Sequence, residues 1–159
     1  MSLDHDRIEA VVRQIETAFG RLAHPGDGKL LHPRCFDDMD IEAFYGDLHW
    51  TDVPSDLIAY ENAALCFLSP EGFQFYLPAY MIWTLRNYEG DSASVLHTLY
   101  SLDPGDPDDE LRAFQTSKFE LLTQNQRRTI VDFLGLFQGH DDLGPVAESA
   151  MENYWGGPN

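Results

Sequence analysis

The stretch that decides the fold is Ala64-Leu65-Cys66-Phe67-Leu68-Ser69-Pro70-Glu71-Gly72-Phe73-Gln74-Phe75-Tyr76-Leu77. Two apolar runs flank Ser-Pro-Glu-Gly, in which Ser, Pro and Gly stand where a type I turn favours them. This pattern predicts a β-hairpin with strands at about 64–68 and 73–77, and with Gly72 at a positive φ as a bulge. Because an isolated hairpin is marginally stable in water, it must pack on helices or pair with a third strand, for which 30–31 and 114–119 are candidates.

Helices are predicted on both sides of this hairpin. Apolar residues recur at helical spacing from about Leu3 to Phe19, and Thr123 with Gln126 matches a capping box ahead of another apolar face. Pro78 stands where the first residue of a further helix would be, since its missing N–H has no partner there in any case. Weaker patterns predict short helices after Asp37, Pro54, Ser92 and Pro107, and over 147–155.

These elements together predict a helix-rich α+β fold in which a short antiparallel hairpin packs on helices. A chain of 159 residues fits one domain, which we place at 1–159. Its core is expected to span about 3–155, and the tail at 156–159 is expected to fray.

The chain is strongly acidic, with 10 Lys and Arg against 27 Asp and Glu and a formal charge of −17. Nucleic acids and anionic membranes are therefore disfavoured as partners, since both attract basic surfaces. An N-terminus without an apolar targeting segment, and no unbroken apolar run of about 18 residues, predict a cytoplasmic protein. The two cysteines, Cys35 and Cys66, form no C-x-x-C pair, so no zinc knuckle or redox site is predicted.

Candidate catalytic and metal-binding residues are few. His32 and Cys35 are close enough in sequence for a Cys–His nucleophile, but nothing nearby supplies an orienting group or an oxyanion hole. Cys35 with His24, His32 and His49 offers zinc-ligand chemistry at spacings that match no familiar pattern. Motifs of serine hydrolases, phosphate loops, dinucleotide sites and zinc proteases do not occur. The sequence therefore predicts no catalytic residue, no metal ligand and no cofactor.

An acidic segment, Asp103-Pro104-Gly105-Asp106-Pro107-Asp108-Asp109-Glu110, offers oxygen ligands for a hard cation. An EF-hand that starts at Asp106 would need Gly and Glu where the chain has Leu111 and Ser117, so this match fails. A solvated acidic turn that leads into a helix fits better. We predict an interaction surface for a basic protein partner, formed by Asp103, Asp106, Asp108, Asp109 and Glu110.

Two segments resemble a family of uncharacterised, mainly bacterial proteins. The first combines W-x-D at 50–52 with F-L-S-P-E-G-F-x-F-Y-L-P-A-Y at 67–80, and the second is L-T-x-x-Q at 122–126. The likeness spans roughly 50–134. It implies a small bacterial cytoplasmic domain, and because no activity, cofactor or catalytic residue is established for that family, it transfers no site.

Two functions from different classes fit the sequence. The first is a non-enzymatic acidic cytosolic binding protein, immunity-like or regulatory, that engages a basic protein, because a charge of −17 would steer a cationic partner towards it. The alternative is a small hydrolase or other enzyme that uses carboxylate and His groups in a cleft. A regulatory domain with a small ligand is a third interpretation, which requires a pocket.

Overall fold

The computed structural model describes residues 2–26, 28–33, 41 and 45–157, and the described chain is built from helices. No β-strand lies in these ranges, so the fold is all-α, and the predicted α+β class with a hairpin at 64–68 and 73–77 is wrong. Single 3₁₀ turns cover Trp50–Asp52 and Ala64–Cys66, and the last helix continues into one π-helical turn, Met151–Trp155. The α-helices are α1 (His5–Phe19), α2 (Ser55–Tyr60), α3 (Pro70–Asn87), α4 (Ala93–Ser101), α5 (Arg112–Ser117), α6 (Gln124–Leu136) and α7 (Gly144–Ala150).

The hairpin prediction fails because Ser-Pro-Glu-Gly is the start of α3 and not a turn between strands. Ser69 is the N-cap, and its Oγ accepts a hydrogen bond from Gly72 N at 3.0 Å. Pro70 occupies the first helical position, where a missing N–H costs nothing. Glu71 lies in the first turn, where the positive end of the helix dipole favours a carboxylate. A Ser, a Pro and an acid are thus as typical of a helix start as of a type I turn.

Burial of α3 on nearly every side removes the periodicity that would have identified it as a helix. Of the residues Phe73-Gln74-Phe75-Tyr76-Leu77, only Gln74 is not buried. The apolar run of a helix without a polar face cannot be distinguished by its periodicity from that of a buried strand. Pro78 lies inside α3, so the helix predicted to begin there in fact begins at Pro70.

An extended segment after α1 packs against the start of α3. Ser69 N donates to Leu30 O at 2.7 Å, and a single antiparallel bridge joins Leu31 to Leu68. This approach brings the Leu30 carbonyl so close to Gly72 that a Cβ on Gly72 would lie well inside van der Waals distance of it. Gly72 is therefore required by a close contact within a helix, and the positive φ predicted for it is wrong.

Replacing Gly72 with Ala should destabilise the protein, although the same change inside a helix ordinarily stabilises it. The new methyl group must displace the Leu30 carbonyl, at an expected cost of about 1–3 kcal/mol. Gly135 in α6 is the matched control, because a Cβ there meets nothing within 4 Å. Gly135→Ala should raise the free energy of unfolding by up to about 1 kcal/mol. Urea denaturation measures both changes, and a Gly72→Ala protein as stable as the parent would contradict the contact.

Four of the predicted helices are confirmed: α1, α2 after Pro54, α4 with Ser92 as its N-cap, and α6. α6 begins with the predicted capping box, in which Thr123 Oγ1 accepts from Gln126 N at 3.2 Å and Gln126 Oε1 accepts from Thr123 N at 3.0 Å. α1 packs on α3 and α6. Its buried face is Ile8, Val11, Val12, Ile15 and Phe19.

The other local predictions have mixed outcomes. The candidate third strand at 30–31 supplies only one bridge, and the candidate at 114–119 begins inside α5. The helix predicted over 147–155 is the end of α7 and the π-helical turn. The helix predicted after Asp37, together with Cys35 and the last two residues of the tail, lies outside the described residues. Within the described ranges, no helix has both the length and the apolar character needed to cross a bilayer.

Candidate functional site

Of the histidines proposed as zinc ligands, two contact one aromatic ring and the third contacts another. His24 and His49 both lie edge-on to Phe75, each with ring centroids 5.3 Å apart, whereas His32 contacts Phe114 at 4.5 Å. Cys35, the proposed nucleophile and fourth ligand, is outside the described residues. Among the residues that the structure describes, no group of three or more His, Cys, Asp or Glu side chains is arranged to hold a metal ion.

A cluster of buried tyrosines lies beside α3. Tyr45, Tyr76 and Tyr80 are fully buried. Tyr80 donates a hydrogen bond to Glu61 O at 2.7 Å, and the Tyr45 and Tyr80 hydroxyls are hydrogen-bonded to each other. The Tyr45 and Tyr76 rings stack with centroids 4.5 Å apart, and Tyr76 donates to Leu48 O at 2.9 Å. The tyrosine cluster therefore satisfies its hydroxyl groups inside the core.

Burial also determines the protonation of the tyrosine cluster. Loss of hydration raises the pKa of Tyr45 far above the ordinary 10.0, and the neighbouring Tyr80 and Glu61 raise it further. Desolvation likewise raises the pKa of Tyr76 and of Tyr80. Because these side chains and Glu61 are buried, a substrate could reach them only if the fold opened. We assign the cluster to stability and not to catalysis.

Raising the pH above about 10 should unfold the protein before the buried tyrosines ionise in place. In that range the unfolded chain loses phenolic protons that the folded state keeps, so the free energy of unfolding falls as the pH rises. Circular dichroism and tyrosinate absorbance, followed together, should show loss of helix and ionisation of the tyrosine cluster in one step. Tyr76→Phe should reduce the amplitude of that step, whereas Tyr60→Phe, at a side chain that is 66 % exposed, should not. Ionisation of the cluster ahead of any loss of helix would contradict its burial.

The acidic segment predicted as an interaction surface divides into one anchored residue and an exposed loop. Asp103 Oδ1 accepts from Gly105 N at 2.9 Å and from Asn153 Nδ2 at 2.8 Å, and its Oδ2 accepts from Ser149 Oγ at 2.7 Å. These bonds tie the end of α4 to α7 and the π-helical turn. The other four acids form what we call the acidic loop, and all are exposed: Asp106, Asp108, Asp109 and Glu110.

Asp103 and Asp106 should therefore respond differently to substitution. Asp103→Ala removes a charged acceptor from three hydrogen bonds and should lower the free energy of unfolding by about 1.5–3 kcal/mol. Asp106→Ala, at an exposed side chain in the same segment, should change it by less than about 0.5 kcal/mol. Thermal and urea unfolding of the two variants measure the difference. Equal effects would show that the Asp103 bonds do not hold the segment.

A groove lies between α4 and α7, with a volume of about 860 Å³. On one wall, Ser92 Oγ caps α4 by accepting from Ser94 N at 3.3 Å. On the other wall, His140 Nδ1 accepts from Leu143 N at 3.1 Å and so orients the start of α7. We call the acidic residues of its lining, Glu89, Asp91 and Asp142, the rim, and the apolar residues of its lining, Val95, Leu96, Tyr100, Leu143 and Val146, the floor. We call this cavity the acidic groove.

The lining of the acidic groove includes three acidic residues and no Lys or Arg. Between Arg86 and Arg112 the chain has seven acidic residues and no Lys or Arg, and after Arg128 it has five acidic residues and again no Lys or Arg. The two flanking arginines serve contacts of their own. Arg86 pairs with Glu9, and the Arg112 guanidinium donates to two backbone carbonyls. The two segments that line the groove therefore contribute carboxylates and no Lys or Arg.

Two large apolar side chains in the lining of the groove are exposed. Leu96 is 38 % exposed and Tyr100 is 54 % exposed, and both lie on α4. Sequence reasoning did not identify this site, because its walls come from 88–100 and 140–146 and no local motif joins them. One signal was available, namely the absence of Lys and Arg from both segments.

Comparison with known proteins gives one match. The model of a family of unknown function, DUF6714, matches residues 8–157. No curated protein and no solved structure matches the chain. The predicted resemblance to an uncharacterised family is thereby confirmed at the level of a family without a known function.

Proposed function

The chain belongs to the family DUF6714, to which no activity is assigned, and we propose that it is a non-enzymatic binding protein for a basic protein partner. The acidic groove is the observation that carries this proposal. It combines an apolar floor with a carboxylate rim, which is the chemistry that receives an amphipathic segment rich in Lys or Arg. We propose that this interaction takes place in the bacterial cytoplasm.

The apolar floor would supply most of the affinity. Tyr and Leu side chains that are half exposed in the free protein gain the most from burial by a partner, and tyrosine is enriched among residues that dominate binding energy. Leu96 and Tyr100 lie on the same face of α4, one helical turn apart, and can receive apolar side chains spaced along a helix. An exposed apolar surface rimmed by polar groups is typical of an interaction site.

The rim carboxylates would supply binding specificity and a high rate of association. The rim residues lie within a chain whose charge is −17, and such a field accelerates the encounter with a cation and repels anionic competitors. The acidic loop extends this field, because Asp103 anchors its first residues beside Ser149, in the turn of α7 that follows Val146 of the groove floor. We therefore assign docking to the groove and steering to the acidic loop.

A labelled amphipathic peptide of Lys and Leu, with Lys on one helical face, provides the test. Fluorescence anisotropy should show saturable binding at low salt that weakens as salt is added, because the rim charges are screened. Asp91→Asn with Asp142→Asn should weaken binding by at least about tenfold, and so should Leu96→Ser with Tyr100→Ser. Neutralising the four acids of the acidic loop should chiefly slow association, as measured by stopped flow.

The matched control is Glu71→Gln with Glu120→Gln. Both residues are exposed and lie near the N-terminal end of α3, whereas the groove lies at its C-terminal end, and the net charge changes by the same amount. This control should bind the peptide as the parent does. If the control and the groove variant lost the same affinity, the effect would be due to overall charge and not to the rim. If a peptide with Gln in place of Lys bound as tightly, the rim carboxylates would have no role in binding. Either result overturns the proposal.

A further inference from the structure

A second cavity, between α1 and the start of α6, differs in charge from the acidic groove. Its volume is about 490 Å³, and its lining includes Arg13 and Gln14 from α1, Thr123 at the helix cap, and Asn125 and Arg128 from α6. We call it the arginine cavity. No acidic residue lines it, whereas four other cavities along the described residues are each lined by at least one Asp or Glu.

The two guanidinium groups of the arginine cavity are available to a ligand. Arg13 and Arg128 are exposed, and among the described residues their guanidinium groups form no hydrogen bond and no ion pair within 4 Å. Two carboxylates one turn away on the same helices have other hydrogen-bond partners. Glu9 is paired with an arginine of α3, and Asp132 accepts from Gln14 Nε2 at 2.8 Å. Two cations thus line a cavity whose lining contains no carboxylate.

Neutral hydrogen-bond donors lie beside these cations. The Asn125 side chain lines the cavity, and so does Thr123, whose Oγ1 accepts the capping hydrogen bond from Gln126 N and keeps its own proton to donate. The backbone N–H groups of Gln124 and Asn125 are in the first turn of α6, where a helix offers no carbonyl to bond them. Donors of three kinds, guanidinium, amide and hydroxyl, therefore lie in or beside the arginine cavity.

We propose that the arginine cavity binds the phosphoryl group of a small soluble molecule. Paired arginines match the oxygens of a phosphoryl group through several charge-assisted hydrogen bonds, which single lysines do not reproduce. The volume lies in the range of small-molecule sites and exceeds what a bare ion requires. A lipid headgroup is the other source of this chemistry, but a charge of −17 opposes approach to an anionic bilayer. This site is distinct from the acidic groove, and either proposal can fail without the other.

Inorganic pyrophosphate is the probe for this site. Titration into ¹⁵N-labelled protein, against sodium chloride of equal ionic strength, should shift the amide signals of Gln124 and Asn125 in a saturable way. Arg13→Gln and Arg128→Gln should each weaken pyrophosphate binding by at least about tenfold, since each removes a charge-assisted contact. Both side chains are exposed, so the variants should keep the spectrum of a folded protein.

Lys29→Gln is the matched control, because Lys29 is exposed, carries the same charge and does not line the cavity. It should bind pyrophosphate as the parent does. Vesicles that contain phosphatidic acid should not bind the protein. Absence of saturable shifts up to millimolar pyrophosphate, equal weakening in the control, or binding to vesicles alone would each overturn the proposal.

Discussion

An α-helix that is apolar on nearly every side must be enclosed on nearly every side, and α3 imposes this requirement on the rest of the chain. α1 and α4 pack along it, and the two 3₁₀ turns contact its remaining surface. The enclosure is tightest at Gly72, where the Leu30 carbonyl takes the space of a side chain. Tyrosines suit such a helix, because Tyr76 and Tyr80 bury their rings and still reach the backbone carbonyls of Leu48 and Glu61.

Enclosure of α3 also explains how charge is distributed over the molecule. Several cations bond backbone carbonyls in and around the core: Lys118 Nζ donates to Cys66 O at 2.7 Å, and Arg127 donates to Phe119 O at 2.6 Å. Lys118 is itself buried, and its ammonium lies 4.7 Å from the centre of the Phe114 ring. The long stems of Lys and Arg permit this internal use. Carboxylates have shorter stems, and although Glu61 is buried, the acids that line the acidic groove are exposed, so this face carries one sign of charge.

Local signals in the sequence predicted the helices that have one solvent-exposed face. The periodicity of α1 and the capping box of α6 are both present in the structure, because each helix has a buried side and a solvated side. α3 could not be recognised in this way, since its burial erases the period and Ser69-Pro70-Glu71-Gly72 starts a helix or a turn equally well. The sites depend on residues far apart in the chain, such as Arg13 and Arg128, or Asp91 and Asp142. The composition shows that the chain is acidic, but only the fold shows that acidic residues lie around an apolar floor.

α6 connects the two proposed sites, and its direction suits the arginine cavity. Its first turn lines the arginine cavity, and the connection that follows its last turn carries His140 to the wall of the acidic groove. With 13 residues the helix is about 20 Å long, so the two sites are far enough apart to bind separately. The dipole of α6 places partial positive charge at the arginine cavity. Reversing α6 would set its dipole against an anion bound there. The backbone of α6 therefore reinforces the positive sign of the arginine cavity, which side-chain charges alone would have to establish against a net charge of −17.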